Sequence, residues 1–295
     1  MSAPAKSSAG YHRACTGQAL STVESHSTLP SNGLTIFGAA FCPFVHRAWI
    51  TLEYLGIPYR YVEVDPYEKP QILLEVNAKG LVPSLRLEDQ KSGKVQGLGE
   101  STVIMEYLHE RYVEDAKSPS KRLLPPMDGS EANVYARAQA RLVSHHLNGK
   151  LIPSFYRFLQ AQEADKQVEY GKEFTDELRW LQDRLEEADR SEGAAGGPFY
   201  AGRKELGWVD VMVAPWVFRA TNVLQHYRSL DLQSSELFPP GSRYDKWAQA
   251  IFAHPAFKAT TSTEDLYLDS YARYAENRPN TSQVANAINS GRGLP

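Results

Sequence analysis

A chain of 295 residues with a formal net charge of −3 and 42% hydrophobic residues is long enough for two domains, because single cores stop growing at about 250–300 residues. Lys and Arg are scattered rather than gathered into a basic stripe, which argues against nucleic acid as a partner. No apolar run approaches the roughly 20 residues of a membrane span; "WVDVMVAPWVF" is broken by Asp210 and Pro215.

Residues 1–30 are rich in Ser, Ala, Thr and Gly, lack apolar periodicity and are expected to form a disordered extension. Lys6 and Arg13, with no acidic residue before Glu24, are a thin echo of a transit peptide. "LTIFG" (34–38) reads as a buried strand. "PFVHRAWITLEYLG" (43–56) reads as a helix with Pro43 at its first position and Gly56 at its end. "IPYRYVEVD" (57–65) alternates like a strand, and "EKPQILLEVN" (68–77) is a short helix. "LVPSLRLED" (81–89) and "KVQGLGE" (94–100) form a hairpin, and "STVIMEYLHERY" (101–112) a helix. The unit is β-α-β-α-β-β-α over residues 31–112.

A proline-bearing linker is expected over 113–128 and an all-α domain over 129–295. Its helices are a long amphipathic run at 130–160 with a bend or break at Pro153, one at 173–190, and a central buried helix at 206–227, followed by "SRYDKWAQAIFAHP" and "TEDLYLDSYARYAEN".

Cys15 and Cys42 are the only cysteines. That excludes a disulfide framework and metal sites built on cysteine pairs, and points to a reducing, cytoplasmic compartment. A free cysteine in a turn is commonly a small apolar filler. Against that reading, Cys42 falls at a helix N-cap, where unpaired N–H groups and the positive end of the dipole favour a thiolate. Pro43 begins the helix, and His46 and Arg47, one turn on, would add positive charge if they point back. Position 45 is Val, not a second cysteine, so Cys42 works alone or passes its disulfide to an external thiol, of which glutathione is the obvious one.

"GLVPSL" places Pro83 at the start of a strand, which suits a cis bond shaping a binding surface. "GES" at 99–101 sets Glu100 and Ser101 at a helix N-terminus. The pair can hold an amino-acid zwitterion, Glu100 taking the ammonium and Ser101 with the helix end the carboxylate; Ser101 equally reads as a plain N-cap.

Cys-Pro after the first strand, Val-Pro opening the third, Glu-Ser before the third helix, a proline-bearing linker and an all-α domain together resemble the cytosolic glutathione transferases over residues 34–275. "CPF" resembles the cysteine-type omega class. The resemblance implies a thioredoxin-like first domain with an all-α second one, glutathione as co-substrate without a metal, and a homodimer. It makes Cys42 the nucleophile that forms a mixed disulfide with glutathione. Phe44 matches the aromatic residue whose backbone lines that site, and Lys69 the lysine that meets the glycyl carboxylate. Val82, ahead of the cis-proline Pro83, pairs with the cysteinyl part, and Glu100 and Ser101 hold the γ-glutamyl end. The implied chemistry is thiol transfer, deglutathionylation and dehydroascorbate-type reduction of a hydrophobic or reducible small molecule, with a place in detoxification. The His-Arg of "CPFVHR" is shared with the glutathionyl-hydroquinone reductases, an alternative, and a scaffold or ligand carrier of the same fold is another. One departure is Gly207, where the family has Ser or Thr three residues before its Asp, here Asp210. Trp216, Tyr156 and Phe155 are candidate lining residues for a second substrate, although aromatics on apolar helices are more often core.

Overall fold

The computed structural model describes residues 11–114, 121–190, 194–232 and 237–295. These divide into two compact units: the described residues up to Arg122 together with Ala253–Asp269, and Leu123–Phe252 with Ser270–Pro295.

In the first unit, α1 (Gly17–Ser25) precedes β1 (Leu34–Gly38), α2 (Pro43–Leu55), β2 (Arg60–Glu63), α3 (Gln71–Leu74), β3 (Ser84–Glu88), β4 (Val95–Gly99) and α4 (Ser101–His109). The four strands stand in the order β2-β1-β3-β4, with β1 parallel to β2 and antiparallel to β3, and β3 antiparallel to β4. This is the thioredoxin-like arrangement expected from the sequence. Every residue of β1 is buried, Thr35 included, as the largely apolar run "LTIFG" suits in a strand covered on both faces. Helix α2 starts at Pro43 and ends at Gly56, whose φ of 67° supplies the left-handed turn that stops it. Its inner face packs Val45, Ala48, Trp49 and Leu52 into the same core as Leu34, Ile36, Leu85, Ile104 and Leu108.

The expected disorder of residues 1–30 does not hold for the part described; residues 1–10 lie outside it. Residues 11–26 run along the first unit, held by polar side chains that a search for apolar periodicity passes over. Tyr11 donates to Asp65 (2.8 Å), Arg13 pairs with Asp65 (3.1 Å) and Glu68 (2.7 Å), and Thr16 bonds Thr263 (2.6 Å). Tyr61 N–H donates to the His26 carbonyl (2.8 Å) at the β2 edge, and the His26 ring stacks on Tyr59 at 3.9 Å. Cys15 and Ala19 are fully buried. Cys15 is therefore a core side chain and not a tail thiol.

The expected boundary at 129–295 also shifts, because α11 (Pro255–Ala259) and the residues after it group with the first unit. His46 Nε2 bonds Thr260 Oγ1 at 3.1 Å, the His46 ring lies 5.0 Å from that of Phe257, and Thr22 donates to the Ala259 carbonyl at 2.7 Å. The sequence between 115 and 120, within the expected linker, lies outside the described residues.

The second unit is helical: α5 (Glu131–His146), α6 (Ile152–Gln160), α7 (Ala164–Asp189), α8 (Trp208–Arg219), α9 (Gln225–Arg228), α10 (Arg243–Ala253) and α13 (Gln283–Asn289), with α12 (Glu264–Ala275) ending in it. The run read as one helix with a break at Pro153 is α5 joined to α6 by a π-helical turn at Leu147–Leu151. A proline at position 153 cannot donate one turn back, and the wider turn absorbs the missing bond. Helix α7 begins nine residues before the expected 173, because its polar first turns are tied by Lys166–Glu169 (2.6 Å) and Lys172–Asp176 (2.5 Å) pairs rather than by an apolar stripe. Helix α8 is buried on nearly every side, matching a sequence that is apolar on most sides and interrupted only by Asp210 and Pro215 before Arg219.

Candidate active site

Cys42, Val82 and Pro83 come together just past the carboxyl end of β1. The chain leaves Gly38, turns with Cys42 N–H donating to the Ala39 carbonyl (3.0 Å), and enters α2 with Cys42 at the N-cap in extended backbone. The His46 N–H takes the Cys42 carbonyl (3.1 Å), and no backbone or side chain caps the helix through the Cys42 thiol itself. The thiol is half-buried and lies 3.9 Å from the Val82 carbonyl. The Val82–Pro83 peptide is cis, as its place at the head of a strand suggested. Cys42, Val82 and Pro83 thus meet at one spot.

Phe44 and Ser101 meet at a second spot through Arg47. This arginine is 1% exposed, its Nη1 donates to Ser101 Oγ at 3.4 Å, and its guanidinium lies 5.6 Å from the Phe44 ring centroid. His46 bonds Thr260. Both side chains that could have lent charge to the thiolate are therefore engaged with other partners. Ser101 is the first residue of α4 and not its N-cap; the cap is Glu100, with φ 67° and ψ 113° and an exposed side chain. A non-glycine residue at positive φ costs about 1–3 kcal/mol and persists where its surroundings impose it, often at functional sites. Lys69 stands apart. It is exposed, its Nζ donates to the Lys79 carbonyl (2.8 Å), and its side chain lies over Gly80, where a Cβ would stand 2.5 Å from Lys69 Cδ.

Two supports escaped the sequence reading. Asn77 braces the loop that carries Val82: its Nδ2 donates to Ser84 Oγ (2.9 Å) and the Leu81 carbonyl (3.4 Å), its Oδ1 accepts Lys79 N–H (3.1 Å), and Ser84 Oγ donates to the Leu81 carbonyl (2.7 Å). Only the short spacing N-x₃-L-V-P, with an amide side chain next to a turn, could have signalled it. The other is the pair Glu63 and Cys15, for which the sequence offers no local signal because the partners are 48 positions apart. Trp216, Tyr156 and Phe155 are core: they are 0%, 2% and 0% exposed, with Phe155 edge-on to Phe174 and Tyr271.

Comparison with known proteins places this geometry. A family model described as "Glutathione S-transferase, N-terminal domain" matches residues 36–116. The crystal structure of glutathione transferase Omega 3C from Trametes versicolor is 32% identical, with a TM-score of 0.70 over 90% of this chain and 98% of that one. The chain belongs to the omega class of the glutathione transferase family. Among curated omega-class and related glutathione transferases, the probable glutathione transferase omega-2 of Caenorhabditis elegans is 25% identical over 260 residues, 85% of this chain and 90% of that protein. The glutathione S-transferase DHAR2 of Arabidopsis thaliana is 28% identical over 225 residues, 76% of this chain and 86% of that one.

Within this glutathione transferase, burial has a measurable consequence at Glu63. Loss of solvent lifts its carboxyl from 4.5 to about 7, against the pull of donors from Cys15 and Ala40. The same burial, with the Glu63 charge beside it, pushes the Cys15 thiol well up. Because the folded chain holds the Glu63 proton more tightly than the unfolded chain, its contribution to stability is full below the unfolded value of 4.5 and is lost as pH rises through about 7. A shift of this size corresponds to up to about 3 kcal/mol. Urea titrations between pH 5 and pH 8 should show that loss in the wild type and a flatter profile in Glu63→Gln.

Proposed function

We propose that this glutathione transferase is a thiol transferase and reductase that works through Cys42. The observation that carries the reading is the placement of a half-buried thiol at the N-terminus of α2, 3.9 Å from the Val82 carbonyl that precedes Pro83. Cys42 thiolate attacks the disulfide between a substrate thiol and glutathione. The Cys42–glutathione disulfide forms as the substrate leaves as a thiolate. A second glutathione thiolate then attacks that disulfide, releasing oxidised glutathione and restoring Cys42. The same couple reduces small acceptors of the dehydroascorbate type, two glutathione molecules supplying the two electrons.

Glutathione is held by Phe44, Lys69, Val82, Pro83, Glu100 and Ser101 in the roles the family resemblance gives them. For Lys69 the role requires its ammonium to leave the Lys79 carbonyl. A hydroxyl donor, as in conjugating transferases, would stabilise glutathione's own thiolate; a protein thiol competes with it, which favours transfer over conjugation. The test is turnover by the full-length protein of a glutathione mixed disulfide and of dehydroascorbate beside conjugation of an aryl halide. Turnover of the first two well above the third is the expected result, and conjugation alone would overturn the reading.

Glu100 gives a test with opposite signs. Glu100→Gly relieves the positive φ and should raise stability by about 1 kcal/mol, while loss of the carboxylate weakens glutathione binding by tenfold or more, since a charge-assisted bond is worth about 1.5–3 kcal/mol. Denaturant titration and the half-saturating glutathione concentration measure the two effects.

The protein acts in the cytoplasm, where glutathione keeps thiols reduced, as a homodimer and in detoxifying roles. Exposed Val134 (47%), Tyr135 (60%) and Leu142 (61%) on α5 support self-association, because they form an apolar stripe at helical spacing. Tyr135→Asp with Leu142→Asp should halve the mass seen by light scattering; an unchanged mass would place any interface elsewhere. No helix among the described residues is long and apolar enough to cross a membrane.

A further inference from the structure

Glu63 closes β2 opposite Gly38, the last residue of β1, and its carboxylate takes donors from two directions. From the N-terminal segment, Cys15 N–H reaches one oxygen at 2.9 Å and the Cys15 thiol faces the other at 3.5 Å. From the turn that leads to Cys42, the Ala40 N–H bonds the same carboxylate. The floor of that turn is filled: the Tyr61 hydroxyl is buried without a hydrogen-bond partner among the described residues and lies where a Cβ on Gly38 would stand at 2.2 Å. Gly38 is fixed from the β2 side as well, by Val64 N–H on its carbonyl at 2.7 Å. With the floor occupied and Gly38 tied, the Ala40 end is the part of the turn whose position depends on Glu63.

We propose that Glu63 is a positioning residue for Cys42, fixing through Ala40 the turn that presents the thiol. The proposal rests on the thiol-transfer reading of Cys42. Simple fastening of the segment does not account for the arrangement. The segment is already held by Tyr11 and Arg13 on Asp65 and by Thr16 on Thr263, and none of these reaches the turn. Burying a carboxylate beside a thiol is costly, and of the contacts described here for residues 11–26 and Glu63, the one from Glu63 to Ala40 is the one that reaches the turn.

The test compares full-length wild type, Glu63→Gln and Tyr11→Phe. Two quantities are read: the rate of the Cys42–glutathione adduct as oxidised glutathione is raised, and hydrogen exchange in peptides covering 11–26 and 38–46. A glutamine cannot accept from both sides without turning its amide N–H₂ toward a donor. Glu63→Gln should lower the maximal rate about tenfold, as a displacement of well under 1 Å can, leave the half-saturating concentration within about twofold, and speed exchange in both peptides. Tyr11→Phe should speed exchange in 11–26 alone and leave the rate unchanged.

A wild-type maximal rate in Glu63→Gln, or a rate loss matched by an equal rise in half-saturation, would overturn the proposal. If wild type itself forms no adduct, the thiol-transfer reading fails on its own. Exchange in 38–46 then still decides whether Glu63 holds the turn: faster exchange in Glu63→Gln upholds it and unchanged exchange overturns it.

Discussion

Replacing Cys42 by serine should abolish thiol transfer, with a loss of at least about a thousandfold, or roughly 4 kcal/mol of barrier, in the turnover of a glutathione mixed disulfide. The reason is chemical: a hydroxyl cannot form the disulfide on which both half-reactions depend. The side chain's place at the N-cap should survive, because serine caps helices well and α2 gains nothing from the thiol as a cap. Melting temperature should therefore stay within a few degrees of the wild type. A serine hydroxyl can also donate to a glutathione thiolate bound beside it, so conjugation of an aryl halide should rise in Cys42→Ser while thiol transfer falls. Steady-state assays of the two reactions on the same preparation check both halves. If both activities fell together, Cys42 would be a structural support rather than the nucleophile.

The largest expected effect on stability lies in the second unit, at Asp210. This carboxylate is fully buried at the start of α8 and accepts three bonds: Gly207 N–H at 2.7 Å, Tyr200 N–H at 2.9 Å and Trp247 Nε1–H at 2.7 Å. Burial pushes its carboxyl upward, and the donors from Trp247, Tyr200 and Gly207 oppose that. Asp210→Ala would leave three buried donors unpaired, each costing about 1–3 kcal/mol, against a total stability of about 5–15 kcal/mol for a typical domain. A loss of about 4 kcal/mol or more is expected in urea titration. Asp210→Asn keeps an acceptor for Tyr200 and Trp247 but turns N–H₂ toward Gly207 N–H, so it should fall between wild type and Asp210→Ala.

The cap at Gly207 follows from the same cluster. Its N–H reaches Asp210, which is the half of a capping box that a glycine can make, having no side chain to return the bond. A Cβ there would stand 3.1 Å from both Asp210 Oδ2 and Arg203 Cδ. The position is thus closely packed, a feature that the sequence alone, read as a missing cap, did not reveal.

Legibility followed the range of the interactions. The strand "LTIFG", the Pro43 start and Gly56 stop of α2 and the apolar α8 are local signals; the first two formed where the sequence placed them, and the helix expected over 206–227 formed as α8 followed by a π turn at Ala220–Leu224 and α9. Cys42 and the cis Val82–Pro83 bond were legible because position in a turn or at the head of a strand limits what those residues can do. What escaped was long-range and polar. Residues 11–26 carry no periodicity, yet Thr16 finds Thr263 across 247 positions and Thr22 the Ala259 carbonyl across 237, and the stretch that carries both partners groups with the first unit. Arg47 and His46 were read as neighbours of the thiol from their spacing along the chain. Their directions are set by Ser101 and Thr260, which no local window contains. The ammonium of the lysine in "EKPQ" rests on the Lys79 carbonyl, a contact that depends on the course of the loop rather than on the motif.

The most direct measurement is the intact mass of the full-length protein after incubation with oxidised glutathione, wild type beside Cys42→Ser. The account predicts one glutathione added to the wild type, mapped to Cys42, and none to the variant, with Cys15 unmodified because it is fully buried against Glu63. No adduct on the wild type, or one carried by Cys15 and kept in Cys42→Ser, would contradict it and leave Cys42 as a packing residue in a glutathione transferase fold.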